Sequence, residues 1–95
     1  MNEKKTLRQH RLLFICLGNI CRSPAAEGVM KALASAAGRS ADFHIDSAGI
    51  GDWHVGQFPD PRMRKRGALR GYNFDSHARQ IRRSDFKDFD LLLVM

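Results

Sequence analysis

The sequence predicts an α/β domain, an open parallel sheet with helices on both faces. Two apolar runs of strand length, "LLFICL" at 12–17 and "DLLLVM" at 90–95, have the pattern of strands covered on both faces. Between the first of them and an alternating segment, "DFHIDSAG" at 42–49, apolar residues recur at helical spacing, which makes a βαβ unit. Such crossovers are almost always right-handed, and the ligands of open α/β sheets sit beyond the carboxyl ends of the strands. The segment at that position after the first strand is "CLGNICRSP", residues 16–24.

The elements follow in order. After the strand at 12–17, Ser23 is a natural N-cap and Pro24 suits the first helical position. Ala26, Val29, Met30, Leu33 and Ala37 then keep helical spacing until Gly38 supplies the stop. In the second strand Phe43, Ile45 and Ser47 alternate with His44 and Asp46, and Gly49 and Gly51 close it. A loop of Gly, Trp, His and Pro fills 50–61, and Asp60 and Pro61 open a helix that Gly71 ends, giving a second helix over 61–70. Ser84 offers a cap for a short helical turn before the last strand. A strand with no turn, cap or covering helix after it is an unfinished unit, because its apolar faces need a partner layer. The expectation is a single, incomplete domain over 1–95, a fragment or truncated product, rather than a complete small domain ending in a terminal strand.

Composition narrows the class. At 95 residues the chain holds one core at most, and 43% hydrophobic with 27% charged residues fits a soluble globular protein. No apolar stretch approaches the ~20 residues that span a bilayer, so no membrane partner is expected. The opening "MNEKKTLRQHRLLFICLG" mimics a signal peptide, but Asn19 and Arg22 interrupt it and no small-residue cleavage site follows, so it reads as the approach to a buried strand. Two cysteines five residues apart make a poor disulfide framework, which points to the reducing cytoplasm. The net charge of +6, with Arg62, Arg64, Lys65, Arg66 and Arg70 clustered and Arg79, Arg82 and Arg83 following, favours anionic partners. The cluster itself reads as a solvated helix face, and without a stacking platform or recognised motif no nucleic-acid partner is expected.

The nonapeptide carries the chemistry. Five residues separate Cys16 from Arg22, so the loop can curl round an anion with its N–H groups inward and the Arg22 guanidinium closing the ring. Phosphate is the natural guest, and the positive end of the helix that follows would favour a Cys16 thiolate, an activated nucleophile. A buried cysteine after an apolar run is commonly just a core residue, and here Arg22, Ser23 and Pro24 tip the balance. A zinc site through Cys16 and Cys21 lacks a second ligand pair, since His44 and His54 are ten apart and His10 and His77 stand alone. A nucleotide-binding P-loop is excluded, because no G-x-x-x-x-G-K-[ST] occurs.

"CLGNICRSPAAEGVM" resembles the signature loop of the low-molecular-weight protein tyrosine phosphatases, and the resemblance continues through "DSAGIGDWHVGQFPDPRM", "HARQI" and "DFDLLLVM", nearly the whole chain. It implies the phosphotyrosine phosphatase I-like form of the predicted fold, and hydrolysis of phosphotyrosine proteins or small aryl phosphates through a phosphocysteine on Cys16. Arg22 would bind the phosphoryl group, Ser23 would hydrogen-bond the sulfur, and the loop from Leu17 through Gly18, Asn19, Ile20 and Cys21 to Arg22 would hold the phosphate oxygens. Inorganic phosphate would be product or inhibitor. Asn19, Ser47 and His77 resemble the family's polar network that keeps the loop in shape, and Cys21 resembles the second cysteine that forms a reversible disulfide with Cys16. Ile20 and Trp53 resemble the apolar walls that receive the aromatic ring. Read from the residues alone, Trp53 could equally anchor its loop on the core, and His77 could be a satisfied buried histidine.

The resemblance also places the aspartate that protonates the leaving phenol in a later Asp-Pro loop, and none of Asp46, Asp52, Asp60, Asp75, Asp85, Asp88 and Asp90 occupies that place. The expectation is impaired turnover, together with self-association through uncovered sheet. Two other readings stand beside it: a phosphate- or phosphotyrosine-binding fragment without turnover, and an arsenate reductase of the same fold, which would need further cysteines after Cys21 where the sequence has none. No cofactor or metal is expected, because the arginine and the amides do the charge work a metal would supply.

Overall fold

The computed structural model describes residues 9–95; the basic start of the signal-peptide mimic, 1–8, lies outside the described residues. The elements are β1 (His10–Cys16), α1 (Arg22–Ala36), a 3₁₀ turn (Ser40–Asp42), β2 (Phe43–Gly49), α2 (Pro61–Leu69), α3 (Asp85–Asp88) and β3 (Leu91–Val94). The strands form a parallel sheet in the order β2-β1-β3, the predicted α/β arrangement.

Strand parity divides the sheet into two faces. Leu13 lies beside Asp46 and Leu92, and Ile15 beside Ala48 and Val94. On this face Leu13, Ile15 and Ala48 form the core with Phe89, and Ile81 and Leu92 pack against it. Phe14 lies beside Ser47 and Cys16 beside Gly49 on the opposite face. There α1 packs, its Glu27 accepting a hydrogen bond from the Ser47 hydroxyl. The stretch from Arg79 to Phe89, which includes α3, covers the first face, with Arg79 bonded to Asp46 and Phe89 in the core. Layers on both faces are thus present, joined at the side of α1 by α2. Phe74 is wedged there: a Cβ on Gly28 of α1 or Gly67 of α2 would fall 2.4 or 2.3 Å from its ring.

Three local expectations are corrected. Cys21, not Ser23, occupies the N-cap of α1, and the helix begins two residues earlier because the Ser23 hydroxyl is turned onto Cys16 instead of capping. The buried side of α1 is not the apolar stripe read from its spacing; it holds Ser23, Pro24, Glu27 and Ala34, while Leu33 is 57% exposed. The first turns of α1 face the polar end of β2, so polar side chains are buried there. Ser84 precedes α3 with helical dihedrals and gives no side-chain cap. By contrast Asp60 caps α2 as its position suggests, accepting from the Met63 N–H at 3.2 Å with Pro61 in the first turn. No helix among the described residues is long and apolar enough to cross a membrane.

Candidate active site

The chain turns from β1 into α1 through Leu17–Cys21, and three neighbouring segments fix that turn. The end of β2 runs alongside it, with the N–H groups of Ile50 and Gly51 donating to the carbonyls of Cys16 and Leu17, both at 2.9 Å. Gly49 permits this approach: a Cβ there would lie 3.0 Å from the Gly18 carbonyl carbon and 3.1 Å from Asn19. On the other side the Asp60 N–H, at the start of α2, donates to the Ile20 carbonyl at 2.7 Å. Inside the turn Asn19 has φ +57°, a left-handed conformation that asparagine tolerates better than most residues.

Asn19 is the hub of the site. Its side-chain N–H₂ donates to the Ser23 hydroxyl at 2.8 Å and to the Ser47 hydroxyl at 2.9 Å, and its carbonyl accepts the Arg79 backbone N–H at 3.0 Å. The Ser23 hydroxyl lies 2.9 Å from the Cys16 sulfur, and the Asn19 backbone N–H donates to the same sulfur at 3.3 Å. Cys16, Asn19, Ser23 and Ser47 are all buried. Burial by itself pushes the Cys16 thiol up, but the Ser23 hydroxyl and the N–H groups of Ser23, Asn19 and Gly18 outweigh it, and the thiol sits below its ordinary range. The N-terminal end of α1, fifteen residues long, stands beside the sulfur and favours negative charge there. A thiolate in such a setting is a nucleophile.

Arg22 is the first residue of α1 and is exposed; its guanidinium has no protein partner among the described residues, so its donors are free for an anion. Cys21 is exposed and Cys16 buried, both as free thiols. Ile20 is half-buried beside Gly18, and Trp53, 64% exposed, packs its ring so closely on Gly51 that a Cβ there would fall 1.9 Å from it. Trp53 therefore stands as an outward aromatic face on the loop after β2 rather than as a core anchor. His77 is corrected. Its side chain is exposed against the Phe58 ring at 4.4 Å and takes no part in the Asn19–Ser47 network. In the segment that carries it, Ala78 turns inward and the next residue, Arg79, supplies the donor to Asn19.

Three residues in the site escaped the reading of the sequence. Glu27 is 4% exposed, accepting from Ser47 at 2.5 Å and paired with Lys31 at 2.6 Å. Its place four residues before a lysine, with Ser23 one turn earlier on the same side of the helix, was the available signal. Arg79 reaches through the sheet's first face to Asp46 and to Asp85, each at 2.9 Å. Burial alone would lower Arg79 and raise Asp85, yet the pairing holds the guanidinium above and the Asp85 carboxyl below their ordinary ranges. The two pairs span 33 and 6 residues, and nothing local in the sequence announces the longer one. The third is His54, whose ring edge would lie 3.1 Å from a Cβ on Gly18.

The family model of the low molecular weight phosphotyrosine protein phosphatases matches residues 11–95. The low molecular weight phosphotyrosine protein phosphatase of Schizosaccharomyces pombe is 48% identical over 86 residues, 90% of this chain and 55% of its own. Among solved structures, a protein tyrosine phosphatase from Entamoeba histolytica superposes with a TM-score of 0.89 at 50% identity, over 92% of this chain and 56% of that one. YfkJ from Bacillus subtilis gives 0.88 at 42% identity, over 92% and 55%. The chain spans about half the length of the curated relatives it matches. With the family model matched over residues 11–95 and relatives 48% and 50% identical over 90% and 92% of it, the chain belongs to the low molecular weight phosphotyrosine protein phosphatase family.

Proposed function

We propose that the chain carries the nucleophile and phosphate cradle of a protein tyrosine phosphatase acting on phosphotyrosine proteins or small aryl phosphates. One observation carries the reading: the Cys16 sulfur, at the carboxyl end of β1, receives the Ser23 hydroxyl at 2.9 Å and the Asn19 N–H at 3.3 Å beside the start of α1. In the first step the thiolate attacks phosphorus, a P–S bond forms, and the P–O bond to the aryl oxygen breaks, its electron pair leaving with that oxygen. Arg22 and the loop amides from Leu17 to Arg22 hold the three remaining phosphoryl oxygens as charge shifts onto them. In the second step water attacks phosphorus, the P–S bond breaks, and inorganic phosphate leaves while Ser23 stabilises the returning thiolate. Ile20 and Trp53 flank the aromatic ring, and Cys21 is the partner of Cys16 in a reversible disulfide.

The leaving phenolate needs a proton. Asp46 and Asp85 are committed to Arg79, and Asp60 caps α2, so these carboxylates are held away from that task. Turnover without a positioned acid is slower by about 10²–10⁴-fold, while formation of the phosphocysteine from a good leaving group is retained. The reaction needs no cofactor, and the reduced thiols suit the cytoplasm. At the edge of the sheet, Leu91 and Val94 of β3 and the following Met95 are 49%, 76% and 49% exposed, and this apolar strand favours self-association, which size-exclusion chromatography at micromolar concentration tests. The deciding experiment is intact-mass spectrometry after acid quench of a reaction with an aryl phosphate. One added phosphoryl group, lost in Cys16→Ser, is expected. An unmodified mass at every quench time overturns the reading. A phosphorylated species without turnover identifies a binding and half-reaction unit.

A further inference from the structure

The hydrogens of the buried network can be placed from its two ends. At one end the donor is a backbone N–H, that of Arg79, so the Asn19 atom facing it must be the carbonyl oxygen. The Asn19 N–H₂ then faces the Ser23 and Ser47 hydroxyls, and both oxygens accept from it. At the other end stands the Glu27 carboxylate, which accepts and cannot donate, so the Ser47 hydrogen points to Glu27. The Ser23 hydrogen is left with the Cys16 sulfur as its partner.

We propose that Glu27 is a positioning residue: by taking the Ser47 hydrogen it fixes Ser47 as an acceptor for Asn19, and Asn19 in turn holds the Ser23 hydroxyl as a donor to Cys16. Buried charge-assisted hydrogen bonds polarise their neighbours, so an anchor three links away strengthens the last one. The charged and titratable groups near these hydrogen bonds are Lys31 on α1 beside Glu27, Asp46 and Arg79 behind Ser47, Cys21 and Arg22 at the start of α1, and His54 against Gly18. Asp46 accepts the Ser47 backbone N–H at 2.8 Å, so the hydroxyl is left to Asn19 and Glu27. Lys31 makes the test sharp. Its ammonium donates to Glu27 at 2.6 Å, so in Glu27→Gln it draws the amide oxygen toward itself and turns the amide N–H₂ onto Ser47, whose hydrogen then loses its acceptor.

The proposal deepens the reading of Cys16 as the nucleophile, yet its test needs no phosphoryl transfer, so the two fail separately. In a Cys21→Ser background one thiol reports, and the pH profile of its alkylation by iodoacetamide is followed by intact mass. Glu27→Gln is expected to move the profile to higher pH and to slow alkylation at fixed acidic pH about three- to tenfold. Adding Lys31→Met frees the amide to turn and restores most of the rate. Ser47→Ala alone and Ser47→Ala with Glu27→Gln are expected to match, because the effect of Glu27 passes through Ser47; this pair tests the relay even where Glu27→Gln alone folds poorly. A profile for Glu27→Gln that overlays the parent, or moves to lower pH as loss of a nearby negative charge alone would make it, overturns the proposal. Additive effects of the Ser47 and Glu27 changes overturn it as well.

Discussion

On one face of the sheet Leu13, Ile15 and Ala48 close against Phe89, and the cation held there, Arg79, lies between Asp46 and Asp85. On the other face Cys16 and Ser47 meet α1, and the buried contacts run through two hydroxyls, an amide and the Glu27 carboxylate. The same strands build both, one residue out of step. The apolar face carries stability, and the polar face sets the charge and aim of one sulfur. Links cross between them, the Arg79 backbone N–H on Asn19 and the Ser47 backbone N–H on Asp46 among them, so the clamp of the first face orders the loop of the second.

The largest expected effect breaks the comparison on its apolar side. Leu13 is fully buried, and Leu13→Ala should cost about 2–5 kcal/mol in urea unfolding through lost burial and the cavity left. Under native conditions the pH profile of Cys16 alkylation should stay in place. A shifted profile with little loss of stability would mean that the two faces are not divided as described.

Next in size is Asp85→Asn, which leaves Arg79 with Asp46 alone. Asp85 is 1% exposed and also accepts the Arg82 N–H at 2.7 Å, so at neutral pH the loss should be about 3 kcal/mol. Burial pushes the Asp85 carboxyl up, but Arg79 and the Arg82 N–H and charge hold it below its ordinary value. A carboxyl depressed in the folded state contributes stability that is complete above the ordinary carboxylate range and is lost as pH falls through the folded value. The wild-type chain should therefore lose stability in acid more steeply than Asp85→Asn, and the two curves should converge at low pH. Parallel curves from neutral to acid would remove Asp85 from the clamp.

How much of this was legible follows from how far apart the partners lie. The turn from Cys16 to Pro24 was readable because the strand, the cysteine, the arginine and the helix start fall within nine residues and their chemistry is local. Ser47 entered through the resemblance, and its contact with Asn19 spans 28 residues. Arg79 was read as one of several basic residues, because its bond to Asp46 spans 33 residues and depends on the parallel register that sets Asp46 beside Leu13. His77 enters through the resemblance, whereas the fold uses the backbone of Arg79, and a main-chain donor leaves no mark in a sequence. Glu27 draws no reading from the sequence, because its partner Ser47 lies 20 residues away on the neighbouring strand.

A smaller effect sharpens the polar side. Ser23→Ala removes the hydroxyl from the sulfur and leaves one Asn19 N–H without its acceptor. Burial then acts on Cys16 with one counterweight fewer, so the thiol should titrate at higher pH, at a stability cost of about 1 kcal/mol. Alkylation followed across pH reads the first and urea unfolding the second. A cost as large as that of Leu13→Ala would make the relay a structural core rather than a device acting on the sulfur.

The smallest effect belongs to α2, and it separates charge that is built in from charge that is merely present. Arg62, Lys65 and Arg66 are exposed on that helix, and the Arg62 pairing with Asp60 is long, at 3.8 Å with the arginine 93% exposed. Arg64 on the same helix is different, its guanidinium stacked 4.5 Å over Phe58 and its Nε bonded to the Phe74 carbonyl at 3.1 Å. Arg66→Gln should therefore change stability by no more than about 0.5 kcal/mol and leave the alkylation profile of Cys16 unmoved. Arg64→Gln, which gives up a cation–π contact and a hydrogen bond that ties α2 to the Phe74 wedge, should cost more than that. Equal costs for the two would mean that net basicity, rather than the partners each arginine finds, decides what these side chains contribute.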